Sequence, residues 1–542
     1  MTDTHESVFA FFTDTARAYP ASPFLAIPER MVSDWGIQTE LTYGEAAERI
    51  DALARAYAGA GYRRGDLVAL AYDSRPQHVL HYLALNSLGI CSVPINTDLT
   101  PAEISYVLQN SRAAGIVALP EFAEPMRKAI NMVDHPVSLA IEDPALLDPP
   151  GPRHRRFAIS EDPRLQPAAV LYTSGTTGNP KGCVLSNLYA QLSGLGYGNR
   201  DGALEVRRGE ERILNPLPLY HMNSLMLTLG GVIAKGACLV LPGRFSLSNW
   251  WSDVTSTGTT RIHYLGIMIP ALLSRPASPA DRQHAVRVGL GAGVDPGAHQ
   301  AFEDRFGIPL HEVWGMTETG RGLSVSEEPR EIDTRACGKP PAGFDARIER
   351  EDGTEAAIGE PGELVVRNAG DDPRAGFFLG YLDNPEATEE AWAGGWFHTG
   401  DICTRSAEGM FYFVDRKKNI VRRSGENISS AEVEAVLSTS PLVAQVAVVG
   451  VPDQMRDEEV MACVVPAEGV PRTDETARAL LEHANAVLAY YKAPGWVRFL
   501  DALPTTGTQK TQKHRLFPDG FRPDMPGVVD LRALKKRKVA AA

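Results

Sequence analysis

The stretch that most constrains this chain is Val170-Leu171-Tyr172-Thr173-Ser174-Gly175-Thr176-Thr177-Gly178-Asn179-Pro180-Lys181-Gly182. An apolar run of strand character opens into a hydroxyl- and glycine-rich loop that ends in a lysine. Four hydroxyls, on Thr173, Ser174, Thr176 and Thr177, can donate to phosphate oxygens. Gly175 and Gly178 let backbone N–H groups approach an anion, and Lys181 adds a mobile positive charge. The pattern predicts a polyphosphate cradle. It is not a Walker loop, because Pro180 stands where G-x-x-x-x-G-K-[ST] needs glycine, and Gly182 where Ser or Thr would hold magnesium.

The residues before this loop alternate between two periods. Tyr43 to Gly59 carries apolar residues at helical spacing, Val68 to Ala71 is a short apolar strand, and His78 to Leu88 is helical again. Gly89 to Asn96 reads as a helix stop followed by a strand. Such alternation predicts an α/β fold with a parallel, doubly wound sheet. The segment Asp143 to Arg156 holds Pro144, Pro149, Pro150 and Pro152, which marks an irregular connection before the strand that feeds the loop. After Gly359 the strands shorten: Leu364 to Val366 and Gly380 to Leu382 suggest a small β-rich sublobe. At 542 residues the chain is long enough for about three folding units of ~150 residues each.

Composition excludes several function classes. The net charge of −13 argues against nucleic acid or an anionic membrane as partner, so any nucleotide site must gather positive charge locally. Six scattered cysteines without a C-x-x-C pair fit reduced thiols in a cytoplasmic setting. The N-terminus shows no signal-peptide pattern, and Lys235 interrupts the apolar stretch Leu225 to Leu241, so no membrane span is expected. Lys535-Lys536-Arg537-Lys538 reads as a solvated, frayed tail.

Further along, Leu214 to Asn223 sets Tyr220 and His221 just after a Pro-punctuated apolar segment. Two predicted strands, Val286 to Leu290 and Pro309 to Val313, run into the turns Gly291-Ala292-Gly293 and Trp314-Gly315-Met316-Thr317-Glu318-Thr319. Open α/β sheets bind ligands at such strand ends. These turns offer small residues that leave room for a flat ring, an aromatic face to stack on one and a carboxylate that could hold a cation.

With these motifs in order from about Thr42 to Lys513, the chain resembles the adenylate-forming superfamily of acyl-CoA synthetases, nonribosomal adenylation domains and beetle luciferases. It looks most like an AMP-forming acyl-CoA ligase of the carnitine/crotonobetaine-CoA ligase branch. The resemblance implies a large N-terminal domain, residues 1–417, of doubly wound sheets plus a β-rich sublobe. A smaller mobile α+β cap, residues 418–542, would close over an active site between the two. It implies ATP, Mg²⁺ and coenzyme A as cofactors and a small-molecule carboxylate as substrate; oligomeric state is left open.

Site roles follow by the same resemblance. Trp314 would flank the adenine, Thr317 would touch phosphate and Glu318 would hold Mg²⁺, with Gly291, Ala292, Gly293 and Gly315 around the nucleotide. His221 would stand at the acyl pocket and thiol tunnel. Asp401, in Gly395 to Asp401, would accept from both ribose hydroxyls, and Arg416 would contact the ribose. Lys418 would be the hinge, with the backbone near Gly425 lining the pantetheine tunnel. Lys510, after Pro504-Thr505-Thr506, would contact the carboxylate and α-phosphate. Gln509 replaces the usual glycine there, so Lys513 stays an alternative.

The resulting expectation is an acid–thiol ligase that activates a small or medium carboxylic acid as its acyl-adenylate and transfers it to CoA. The alternative is a stand-alone adenylation enzyme that loads a carrier protein's pantetheine. Tyr220 to Ser224 lacks the Asp that amino-acid-activating relatives use, and oxygenase chemistry of the luciferase kind stays open. His221, Asn223, Tyr264, Met268, Gly293 and Met316 are candidate pocket residues. Arg321 is read as a surface residue, with contact to a second acidic group as the other possibility.

Overall fold

The computed structural model describes residues 4–151, 154–173, 180–326, 328–423, 426–453, 456–505 and 511–535. The chain divides into two compact units, residues 1–346 with 366–398, and residues 347–365 with 399–542.

The first unit contains two large sheets. One has the spatial order Gly380–Tyr381, Lys181–Ser186, Pro167–Thr173, Cys91–Pro94, Leu67–Ala71, Gly115–Ala118 and Ser138–Ile141. Its strands pair in parallel except where Lys181–Ser186 meets its two neighbours. Leu67–Ala71 and Cys91–Pro94 are buried at every residue, as parallel strands covered on both faces must be. The flanking helix Tyr43–Gly59 starts at a capping box in which Thr42 and Glu45 satisfy each other's backbone N–H groups. The next helix, Pro76–Ser87, has proline in its first turn, where no N–H partner is needed. The predicted alternation of helix and strand is therefore present in this region.

The second sheet runs Gly322–Ser324, Leu310–Gly315, Val288–Ala292, Arg261–Leu265, Arg212–Leu214, Cys238–Val240, Pro23–Ala26 and Glu40–Thr42. Its two ends are antiparallel and its interior is parallel. Ile262 and Tyr264 face a core with Trp250, Phe302 and Phe306.

One expectation is overturned here. Gly380–Tyr381 does not belong to a β-rich sublobe: it pairs with Val184 and Cys183 at the edge of the first sheet, and Leu382 packs in the core of that sheet with Val170 and Val184. A two-residue strand carries no periodicity from which its partner could be read.

In the second unit, Phe397–Arg405 pairs antiparallel with Phe411–Arg416, which supplies the β-rich part. The remainder is α+β. Long antiparallel strands Val443–Asp453 and Asp457–Pro466 pack with helices Ser430–Ser438 and Asp474–Val487 around Val448, Ala462, Leu437 and Leu480. Ser429 caps the first of these helices.

Lys535 departs from the reading of Lys535 to Lys538 as a solvated tail, while Lys536, Arg537 and Lys538 lie outside the described residues. Its ammonium is 1% exposed and lies 2.6 Å from Glu459 Oε1, while also donating to the Tyr491 carbonyl. Arg423 Nε contacts both Glu459 oxygens at 2.9 Å, and Glu459 is fully buried. Burial pushes Lys535 down to about 8. A single carboxylate thus compensates two buried cations. No helix among the described residues is long and apolar enough to cross a membrane. Glu459→Gln should leave both cations without a counter-charge and destabilise the second unit by ~3–5 kcal/mol, read as a lowered urea midpoint; an unchanged midpoint would show that the cluster is solvated.

Candidate functional site

The predicted phosphate cradle begins where Thr173 faces Lys181 across the antiparallel pair Pro167–Thr173 and Lys181–Ser186. Ser174, Gly175, Thr176, Thr177 and Gly178 lie outside the described residues. Gly182 follows the lysine for a packing reason: a Cβ there would lie 3.0 Å from Val170 Cγ1 and 3.1 Å from the Tyr172 ring. Lys181 projects over Tyr381, its Nζ 4.7 Å from the ring centroid. A cavity of about 330 Å³ opens beside it, lined by Tyr106, Asn110 and Asn384 among others, so the ammonium group has room to move.

Tyr381 also reaches Glu318. Its hydroxyl donates to Glu318 Oε1 at 2.9 Å, and Glu318 is 7% exposed on the turn after strand Leu310–Gly315. The Glu318 charge, after burial, pushes the Tyr381 phenol far up. Lys181 and Glu318, 137 positions apart in sequence, are thus gathered around one aromatic ring. Sequence reasoning missed Tyr381, because only the strand pairing of Gly380–Tyr381 brings it to Lys181.

Around Trp314, which is 7% exposed, the strands Val288–Ala292 and Leu310–Gly315 run parallel with Gly291 opposite Glu312. The Glu312 carboxylate accepts from Gly293 N at 2.6 Å and from the Tyr264 hydroxyl at 2.7 Å, fixing the turn after Ala292. Burial pushes this carboxyl up, against those hydrogen bonds. Gly293 has φ +81° and a Cβ there would meet nothing within 4 Å, while at Gly315 the nearest atom is the Arg321 carbonyl oxygen at 4.0 Å. Open room therefore exists at these strand ends, which suits a flat ring. The Thr317 carbonyl accepts from the Tyr189 hydroxyl at 2.7 Å, anchoring the turn.

His221 follows a turn closed by its N–H to the Pro218 carbonyl, with its ring 4.7 Å from that of Tyr220. Asn223 begins a π-helical segment, Asn223–Thr228, a distortion that recurs at functional sites. Asn215 Nδ2 donates to Asn223 Oδ1 at 2.9 Å. Tyr264 and Met268, at 1% and 3% exposure, belong to the core rather than to an open pocket. Arg321 is not a surface residue: it donates to the Ala375 carbonyl and Asn368, with its guanidinium 5.5 Å from the Phe344 ring. Burial lowers its pKa.

In the second unit, Asp401 and Arg416 sit opposite each other across their strand pair, with Arg416 Nε 2.7 Å from Asp401 Oδ1. Asp401 is 1% exposed. Lys418 lies in the 3₁₀ turn Lys417–Asn419. Just before it, Asp415 Oδ2 accepts from the Ser429 and Ser430 hydroxyls and from Ala431 N. Gly425 and Lys510 lie outside the described residues. Lys513 is committed, with Nζ 2.7 Å from Ser430 Oγ and 2.8 Å from Glu434 Oε1.

The residues present suit a magnesium ion. Among the described residues no group of three or more His, Cys, Asp and Glu could hold a metal by itself. A buried carboxylate gathered with Lys181 around one aromatic ring suits an ion held by one protein oxygen and by substrate phosphates.

The two sheets, the glycine-lined strand ends and the lysine–carboxylate pair around Tyr381 define a nucleotide-activating enzyme. Residues 12–382 match the AMP-binding enzyme family, and residues 432–510 match the AMP-binding enzyme C-terminal domain. The chain belongs to this family. It is 32% identical over 519 residues to the sulfoacetate–CoA ligase of Cupriavidus necator, covering 95% of this chain and 98% of the relative. It is 31% identical over 500 residues to the crotonobetaine/carnitine–CoA ligase of Citrobacter koseri, covering 89% and 94%. Among solved structures it resembles the o-succinylbenzoate CoA synthetase of Bacillus subtilis in complex with its acyl-adenylate intermediate. That likeness has TM-score 0.78 and 25% identity over 94% of this chain and 98% of that one. A benzoate CoA ligase from Burkholderia xenovorans shares the fold, with TM-score 0.79 and 22% identity over 94% and 99%.

Tyr381→Phe keeps the ring under Lys181 and removes only the donor to Glu318. Loss of a hydrogen bond to a charged acceptor, about 1.5–3 kcal/mol, should raise the dissociation constant of MgATP roughly ten- to a hundredfold in calorimetry. Unchanged affinity would show that Glu318 needs no such support.

Proposed function

We propose that this protein is an ATP-dependent, AMP-forming acid–thiol ligase that converts a small or medium carboxylic acid into its acyl-adenylate and passes the acyl group to CoA. The observation that carries this reading is the convergence of Lys181 and Glu318 on Tyr381, beside the open glycine-lined strand ends at Trp314. Its relatives of near-full-length coverage are CoA ligases, which favours CoA over a carrier protein as acceptor.

A carboxylate is a poor acyl donor, whereas its mixed anhydride with AMP has a good leaving group. Bound magnesium supplies charge neutralisation on the phosphates. The chain's own residues do the rest by position and charge. Lys181, held by the soft attraction of an aromatic face, moves to phosphate at low cost. Glu318, oriented through one oxygen by Tyr381, keeps its carboxylate directed. Trp314 flanks the adenine, and Thr317 touches phosphate from a turn anchored by Tyr189. Asp401 accepts from the ribose hydroxyls, its orientation fixed by Arg416. Lys510 contacts the reacting carboxylate and α-phosphate; Lys513, tied to Glu434 and Ser430, positions the segment that bears it. His221 stands at the acyl and thiol side, with the backbone near Gly425 along the pantetheine path.

Residues 1–417 and 418–542 act as the two functional domains, with Lys418 as pivot. Lys510 and Gly425 both follow that pivot and serve different half-reactions, so a rotation exchanges them. A cytoplasmic setting fits six cysteines that are all buried.

Purified protein with ATP, Mg²⁺, CoA and a screen of carboxylic acids should release AMP and pyrophosphate. ADP as product sinks the reading, and AMP release that requires a pantetheinylated carrier instead of CoA shifts it to the carrier-loading alternative. Lys510→Ala should abolish acid-dependent pyrophosphate exchange and spare thioester formation from supplied acyl-adenylate. If Lys513→Ala alone gives that pattern, the roles of the two lysines are reversed.

A further inference from the structure

The cavity beside Lys181 extends away from the magnesium carboxylate. Besides Lys181 and Tyr381, the described residues that give it polar walls are Tyr106, Asn110, Asp383 and Asn384; neither Glu318 nor any other of residues 314–319 lines it. Its volume of about 330 Å³ is room for roughly ten waters of ~30 Å³ each.

Two local structures bring these walls together. Helix Pro101–Ser111 places Tyr106 and Asn110 four residues apart on one face, while Ile104, Val107 and Leu108 are buried. Asp383 adopts φ +54°, a left-handed conformation that aspartate tolerates, and the Asn384 N–H closes the turn on the Tyr381 carbonyl at 3.1 Å. Asn384 thereby lines the same cavity as Tyr381 and Lys181.

Hydrogen bonding leaves this lining rich in donors. Asn110 Oδ1 accepts from the Tyr172 hydroxyl at 2.7 Å, so the other end of the amide, Nδ2, is left to donate. Asn384 Oδ1 accepts from Ala387 N at 3.0 Å as the cap of helix Pro385–Ala391, which leaves its Nδ2 to donate as well. Burial pushes the Tyr106 phenol up, so its hydroxyl keeps the proton and is a donor. The Lys181 ammonium meets the Tyr381 ring and has no ion pair among the described residues. The one acid of the lining, Asp383, is paired with Arg155, which is itself anchored on the carbonyls of Ser111 and Asn110. Four donors, one of them charged, beside a carboxylate already matched, suit an anion rich in oxygens.

We propose that this cavity receives the pyrophosphate released when the acid is adenylated, at a position distinct from the one the same phosphates hold within ATP. This rests on the ligase reading above. In that step a carboxylate oxygen bonds to the α-phosphorus, the bond from the α-phosphorus to the oxygen bridging to the β-phosphorus breaks, and that oxygen keeps the electron pair. Pyrophosphate thus departs with a full negative charge on the former bridging oxygen. Lys181 borders both places: it rests on Tyr381 by a weak attraction, and the cavity gives it room to follow the leaving group. Tyr106, Asn110 and Asn384 then supply donors that intact ATP does not engage.

The test needs no turnover. Magnesium pyrophosphate and MgATP are titrated separately, by calorimetry and without acid, into the wild type, Asn110→Asp and Tyr106→Phe. Asn110→Asp keeps the acceptor for Tyr172 and replaces a donor by a negative charge, so pyrophosphate affinity should fall roughly ten- to a hundredfold. Tyr106→Phe should lower it roughly tenfold, and it decides the matter alone if Asn110→Asp fails to fold. Both variants should bind MgATP as the wild type does, and inorganic phosphate, which engages fewer donors, should bind the wild type more weakly than pyrophosphate. A wild type that binds no pyrophosphate, pyrophosphate affinity untouched by the variants, MgATP weakened in step with it, or equal binding of inorganic phosphate overturns the proposal. In turnover, the inhibition constant of added pyrophosphate against acid-dependent AMP release should rise in Asn110→Asp by the factor seen in binding. If no acid gives AMP, the ligase reading fails, while the titrations still decide whether the cavity takes pyrophosphate.

Discussion

The antiparallel pairing of Pro167–Thr173 with Lys181–Ser186 is the contact on which the nucleotide end of the protein depends. It brings the chain back on itself between Thr173 and Lys181. It fixes Lys181 opposite Thr173, and it leaves the outer edge of Lys181–Ser186 unfilled. Gly380–Tyr381 fills that edge, and with it arrives Tyr381, whose side chain touches both Lys181 and Glu318. An exposed strand edge has to be paired or covered; here the covering strand also carries a residue of the site.

Several carboxylates hold parts of the molecule that the chemistry needs. Glu312 fixes the Gly293 turn beside Trp314, and Asp415 gathers the start of helix Ser430–Ser438 next to the turn that contains Lys418. Glu459 binds Arg423 and Lys535 together in the second unit. In each case a buried acid is satisfied by several donors, which is the condition under which a buried charge orders structure rather than weakening it.

The candidate site could be proposed from the sequence because its motifs are short local runs, although residues 174–179 lie outside the described residues. The Thr/Ser/Gly loop, Trp314 to Thr319, and Gly395 to Asp401 each carry their donors and acceptors within a few residues, so turn chemistry alone marks them. The parallel sheet was legible for a similar reason: Leu67–Ala71 and Cys91–Pro94 are apolar without alternation and lie between helical runs. Arg321 and Lys535 were misread, because charged residues are ordinarily exposed and nothing local announces a buried partner. Tyr264 and Met268, read as candidate pocket residues, pack in the core.

The sequence by itself determined the fold class and which residue types carry the chemistry, since periodicity and turn composition are properties of neighbours along the chain. Only the tertiary structure decided that Tyr381 stands with Lys181 and Glu318 and that Lys513 is committed to Glu434. These facts depend on contacts between residues tens to hundreds of positions apart. Pairing across strands and the cost of burying charge settle such contacts, and neither leaves a mark in any short stretch of the chain.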